Sequence, residues 1–206
     1  YNTGRLVCLD ARTNKIKWQQ DDLARELGTD KQGIFTLFVD RDNDIWMYSP
    51  LGIWVYNPEQ EKWLSWLTNI IKRRSHNMVR AVSQDKQGRI WIGTDQDGID
   101  ILDKKTGEVR QLRNKTGDER SLQNNTVMVL YEDSSETMWV GTYKKGISYF
   151  NECAFKFGAE YIGDISCIEE DKEGYVWLGT NDVGIIYWNS VTGNRAAFPQ
   201  KGMDKL

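Results

Sequence analysis

The chain of 206 residues is 39% hydrophobic and 28% charged, so it holds enough apolar material to bury a sizeable core. A formal net charge of −3 and an isoelectric point near 5.4 exclude a general attraction to nucleic acid or to an anionic membrane. No apolar run approaches the roughly 20 residues that span a bilayer, and nine Trp with nine Tyr favour sheet over helix.

Tyr1 is followed by no basic segment and apolar stretch of the signal-peptide kind, so the chain reads as an excised or processed piece. Residues 1–20 offer two strands about a turn. LDARTNKIKW (9–18) aligns with LDKKTGEVRQ (102–111), and nothing upstream supplies two further strands. LARELGTD (23–30) has the pattern of a short helical turn. One four-strand unit is then written four times, over about 34–66, 79–113, 127–158 and 165–199.

The second copy shows the plan. VRAVSQD alternates apolar and polar residues as a strand. DKQG (85–88) is a tight turn, with Asp to bond its own backbone and Gly for positive φ. RIWIGTD is the second strand, GIDILD the third, KKTG (104–107) another turn and EVRQLR the fourth. The first copy departs most: Tyr48-Ser49 stand where the others have Gly-Thr, and Asp42-Asn43-Asp44 stand where a D-x-x-G turn falls.

The tryptophans Trp46, Trp91, Trp139 and Trp177 are 45, 48 and 38 residues apart. That period, built only of short strands and turns, predicts an all-β fold of β-propeller blades, each a four-stranded antiparallel meander. Half a blade at 1–20 plus four whole blades makes a single partial propeller and an incomplete ring. Each large aromatic is expected to fill the wedge between neighbouring blades, with Gly93, Gly141 and Gly179 allowing close approach beside it. An open arc leaves edges and faces uncovered, so residues 1–206 alone are expected to self-associate or dissolve poorly.

These residues resemble the two-component regulator propeller repeat. Its pattern runs apolar strand, D-x-x-G, apolar-W-apolar-G-T, then G-apolar, and is carried here from Val79 to Gly98, Val127 to Gly146 and Ile165 to Gly184. SHNMVRAVSQD and LQNNTVMVLYED look like the family's lead-in to the innermost strand. The resemblance covers about residues 34 to 200. It implies part of the periplasmic sensor of a membrane-spanning hybrid regulator, recognising an oligosaccharide or another extracellular cue. A following β-sandwich and membrane helix would pass the signal to a cytoplasmic histidine kinase. The segment itself would be no enzyme and need no cofactor. GRLVCLDARTNKIKW reads more like the D-x-x-T-x-x-x-x-W repeat of quinoprotein-type propellers, an alternative ancestry for that one repeat.

Little in the sequence groups for chemistry. A single histidine, His76, argues against a triad or a multi-His metal site. Cys8, Cys153 and Cys167 have no metal spacing, and Cys167, inside an apolar strand, is expected to be a buried inert thiol. Asp40 to Asp44 imitates the opening of a calcium loop, but Ile45 and Leu51 replace its required Gly and Glu, so no metal is expected. Glu132/Asp133 and Glu169/Glu170/Asp171 read as solvated turn-makers.

In a four-strand meander the inter-blade links and the second-to-third-strand loops share one face. Lys72, Arg73, Arg74 and His76, then Arg113, Lys115 and Arg120, then Tyr143, Lys144 and Lys145 fall there. Of these, Arg73, Arg74, His76, Arg113, Arg120, Lys144 and Lys145 are candidates to grip carboxylate or sulfate groups, with Tyr143 stacking on a sugar ring. Asp95, Asp97, Asp118 and Glu119 dilute the patch. Two rival readings remain open: a scaffold for protein contacts or receptor dimerisation, and part of a lyase- or quinoprotein-type propeller enzyme.

Overall fold

In this computed structural model the described residues are 5–21, 34–50, 52–74, 78–151, 156–189 and 192–198, with backbone alone at 73–74 and 156–159. The helical turn expected at 23–30 lies outside them, as do His76 and Cys153. They form eighteen strands and one α-helix. A two-stranded half-blade holds β1 (Leu6–Leu9) and β2 (Ile16–Gln20). The first whole blade holds β3 (Thr36–Val39), β4 (Ile45–Ser49), β5 (Gly52–Asn57) and β6 (Lys62–Trp63). The second holds β7 (Val79–Gln84), β8 (Ile90–Thr94), β9 (Ile99–Leu102) and β10 (Val109–Leu112). The third holds β11 (Val127–Glu132), β12 (Met138–Thr142), β13 (Gly146–Asn151) and β14 (Lys156–Glu160). The fourth holds β15 (Ile165–Glu170), β16 (Tyr175–Thr180), β17 (Ile185–Asn189) and β18 (Arg195–Ala197). Every sheet is antiparallel and pairs in chain order, so each is a meander.

The first hairpin of each whole blade is fastened by one aspartate. In the third blade Asp133 Oδ1 accepts from the amides of Ser135 and Thr137, and its Oδ2 accepts from Trp139 Nε1 at 2.7 Å. Trp46 donates in the same way to Asp40 at 2.8 Å, Trp91 to Asp85 at 2.7 Å and Trp177 to Asp171 at 2.6 Å. The six-residue step from Asp to Trp therefore joins turn to strand, and it satisfies the one polar atom of an otherwise apolar ring.

Those rings then fill the junctions. Trp46 packs with Val79, Val82 and Ile90 of the second blade, Trp91 with Val127 and Leu130 of the third, and Trp139 with Ile165 and Ile168 of the fourth. All three are at most 2% exposed, and burying a ring of this size contributes on the order of 3 kcal/mol. A Cβ on Gly93 would lie 2.5 Å from Val127 Cγ1 of the next blade, and one on Gly141 would lie 2.5 Å from Val129 Cγ1 of its own blade and 3.0 Å from Ile165 of the next. The glycines thus admit the next blade's first strand.

Serving two junctions at once requires an irregular first strand. Residues two apart on a strand share a face, yet Val127 packs toward the second blade and Val129 toward the fourth. A bulge between Val127 and Val129 reverses the facing, and the same shift occurs at Val79/Ala81 and Ile165/Cys167.

Two expectations need correction. The link after the first blade is not all loop: α1 (Ser65–Arg74) occupies it, and Leu67 and Ile71 on one face, with Leu64 just before, enter the first junction. Cys167 is exposed rather than buried. Its position matches Ala81 and Val129, which face a following blade. After the fourth blade no such blade stands among the described residues, and Trp177 is accordingly only half-buried.

Candidate functional site

Links and second-to-third-strand loops lie on one face, held together by backbone bonds. Asp95 N donates to Met78 O, Tyr143 N to Thr126 O and Asn181 N to Asp164 O, each at 2.8–3.0 Å. Each loop is thereby tied to the entry of its own blade. Between the second and third blades the link 113–126 adds cross-ties. Gly98 N donates to Asn125 O at 2.8 Å, Asn114 N to Asn125 Oδ1 at 2.7 Å, and Asn124 Nδ2 to Tyr143 O at 2.9 Å. Asn124 and Asn125 so bring the Arg113 segment and the Tyr143–Lys145 loop into one cluster.

The charges of this cluster largely answer one another. Arg113 donates to the carbonyl and carboxylate of Asp97 at 3.2 and 3.0 Å. Arg80, absent from the sequence-based candidates, donates to Asp95 at 2.6 Å, and Thr126 Oγ1 donates to the same carboxylate at 3.2 Å. Lys144 Nζ stands 5.0 Å from the centre of the Tyr143 ring. A hydrogen bond with the Tyr143 side chain holds the lysine's pKa above its ordinary value. Arg120 and Lys145 are exposed. Arg73 and Arg74 end α1, and their side chains, like His76, lie outside the described residues. Lys72 Nζ lies 5.2 Å from the Trp54 ring centre.

Sequence reasoning missed a cavity of about 200 Å³, bordered by Thr36, Tyr48, Ser49, Met78, Arg80 and Met128. It opens where three first strands begin, beside the loop cluster. Tyr48 is buried, its hydroxyl bonded to the Val82 backbone and the Thr36 side chain, and burial pushes its pKa above that of an ordinary phenol. The signal was present in the sequence as the place where the first blade abandons Gly-Thr for Tyr48-Ser49. A shallower hollow of about 460 Å³ lies beside the short link 161–164, against Tyr161, Asp182, Val183 and Arg195.

The opposite face carries the tight turns and is built for cohesion. Asp40, Asp42 and Asp44 converge as a cation site would, but Lys104 of the second blade fills it, with Nζ 2.7, 2.8 and 2.7 Å from the three carboxylates. Burial of Lys104 opposes its charge; the bonds to Asp40, Asp42 and Asp44 outweigh that and raise its pKa. In the second, third and fourth blades the residue before the turn aspartate also reaches back to the preceding blade. Gln84 accepts the Arg41 amide at 2.8 Å, Glu132 the Lys86 amide at 3.0 Å and Glu170 the Ser134 amide at 2.7 Å. Glu132 and Glu170 are therefore inter-blade brackets and not merely solvated turn-makers.

No curated protein sequence matches the chain. Among solved structures it is similar to the extracellular domain of the putative hybrid two-component system BT3049 of B. thetaiotaomicron, at 24% identity and a TM-score of 0.64. That match covers 82% of this chain and 23% of that one. The corresponding domain of BT4673 from the same organism matches at 17% identity and a TM-score of 0.60, covering 79% of this chain and 23% of that one. Virginiamycin B lyase from Staphylococcus aureus matches at 12% identity and a TM-score of 0.64, covering 95% of this chain and 63% of that one. These likenesses establish the propeller fold, and the chain spans less than a quarter of the length of the two extracellular domains. The two component regulator propeller pattern matches residues 74–96, 121–144 and 162–182, each containing a loop-face entry, the aspartate turn and the tryptophan strand just described. The second, third and fourth blades thus each carry a two component regulator propeller repeat.

Proposed function

We propose that this chain is part of the periplasmic input propeller of a hybrid two-component regulator, that its loop face receives an oligosaccharide, and that occupancy is relayed to a histidine kinase. The observation that carries the reading is the set of regulator-propeller repeats whose loop face borders a cavity of about 200 Å³, where Thr36, Ser49 and Arg80 stand among the apolar Ile34, Met78, Val79 and Met128. The segment serves as a binding module and not as a catalyst. Charge narrows the ligand class. Arg80 and Arg113 already answer Asp95 and Asp97, so beside the cavity the face offers hydroxyl, amide and ring surfaces, with the exposed cations Arg120, Lys144 and Lys145 farther along the loops. That composition suits a neutral sugar better than a carboxylated or sulfated one.

Titration calorimetry of the intact extracytoplasmic domain against neutral and acidic oligosaccharides tests this. Binding of a neutral glycan is expected, weakened about tenfold or more by Thr36→Val or Tyr143→Ala and little changed by Arg113→Ala. Binding confined to acidic glycans, and lost with Arg113→Ala, would reverse the charge argument. If no glycan binds and kinase output ignores them all, the ligand class is wrong.

A further inference from the structure

The first strands of the second, third and fourth blades each slip register once, and the bulged residue is Arg80, Met128 or Ser166. The residues flanking it are committed to the fold. Val79, Ala81, Val127, Val129 and Ile165 all pack into blade junctions. The bulged residue stands in none of those clusters, and it changes from cation to thioether to hydroxyl between blades. A bulge re-aims the side chain it carries. Arg80 and Met128 both border the cavity of about 200 Å³ on the loop face, whereas Ser166 donates to Gly179 O of its own blade at 3.0 Å. The blade plan thus dictates the flanks and leaves the bulge without a packing duty in these junctions.

Size and walls narrow what the cavity can hold. At about 200 Å³ it falls below the roughly 300 Å³ at which drug-sized ligands begin to fit, so it suits one sugar unit and not a run of them. Met78, Met128, Ile34 and Val79 give it apolar walls. A hydroxyl pressed on such a surface loses its water without replacement, whereas a methyl group gains by leaving water. Arg80 supplies a directed polar contact. Its Nη2 donates to Asp95 Oδ2 at 2.6 Å, and Thr126 Oγ1 holds the other oxygen of that carboxylate at 3.2 Å. The pairing neutralises and orients the guanidinium while leaving it further N–H groups to donate.

We infer that this cavity selects a neutral sugar unit bearing an acetamido group, whose amide carbonyl accepts from Arg80 and whose methyl group rests on Met78 and Met128. The inference rests on the loop face being a glycan-binding face, as proposed above. A plain hexose offers no methyl group to the two thioethers. A 6-deoxy sugar offers a methyl group without the carbonyl that the guanidinium is placed to meet. A carboxylated sugar meets an arginine already answered by Asp95.

The test uses the intact extracytoplasmic domain and matched probes: lactose extended by N-acetylglucosamine, N-acetylgalactosamine, galactose or fucose. Calorimetry is expected to show the two acetamido probes binding about tenfold or more tightly than the other two. In saturation-transfer NMR their acetyl methyl protons should receive the strongest signal. Met128→Ser and Arg80→Met each install the residue that another blade carries at its own bulge, so the fold is kept. Each is expected to weaken the acetamido probes about tenfold. Equal affinity for all probes, a preference for fucose, or an acetamido preference that survives either variant overturns the inference and leaves glycan binding standing. Silence from every probe also overturns it, and the wider set of neutral and acidic oligosaccharides then decides whether the proposed function falls as well.

Discussion

At the scale of single residues, the bracket position shows how burial and charge compete. Glu132 sits before Asp133 and takes the Lys86 amide, with Arg41 3.7 Å away. Burial raises its pKa above the ordinary glutamate value; the Lys86 amide opposes the rise without cancelling it. The folded state therefore binds this proton more tightly than the unfolded state. Its contribution to stability is fully present below the ordinary glutamate pKa and is lost as pH rises through the elevated folded value. Glu132→Gln keeps the acceptor oxygen, as Gln84 does naturally one blade earlier, and removes the buried charge. The variant is expected to match or exceed the parent by up to about 1 kcal/mol at pH 7 and to lose that advantage in acid. Urea titrations at several pH values check this, and a variant less stable than the parent at pH 7 but not in acid would contradict it. The sequence showed Glu132 as a turn residue because it lies beside a turn. Its partner is 46 residues away, so no local pattern reveals it. Cys167 misled for the same reason: its strand reads as interior, and its exposure depends on what covers the blade.

Individual blades were the most legible level, because a strand of period two and an Asp-led turn are local facts. The tryptophan wedge also followed from the repeat. What did not follow was α1, whose Leu67 and Ile71 have helical spacing within a segment otherwise read as a charged link. The glycines of the second strand test the blade-to-blade fit directly. Gly141 lies in ordinary strand backbone, so an alanine there is limited only by Val129 and Ile165. Gly141→Ala is expected to cost about 1–3 kcal/mol by overpacking. Gly179→Ala meets chiefly Cys167 and Ser166 of its own blade, with no following strand among the described residues, and is expected to cost less. Thermal unfolding of the two variants side by side provides the measurement. Equal losses would mean that the strain arises within a blade and not between blades.

For the molecule as a whole, the two faces were separable from the meander alone, but the basic loop patch was not what charge counting suggested. Arg113 and Asp97 are sixteen residues apart and neutralise each other across a loop. Links on the loop face vary widely in length: 161–164 is short, 113–126 longer, and the first contains a helix. Inserting four Gly/Ser residues at 162–163 is expected to lower stability by no more than about 1 kcal/mol. The same insertion at 135–136 separates Asp133 from Trp139 and is expected to cost about 3 kcal/mol or more, by stranding a buried donor and acceptor. Denaturation midpoints of both insertions decide the point, and equal tolerance at the two places would refute it.

The six-residue tether from aspartate to tryptophan has an evolutionary reading. It freezes the spacing of the first hairpin in every blade, while the links on the other rim carry no such constraint. A lineage of such proteins can lengthen or trade its links without renegotiating how one blade holds the next.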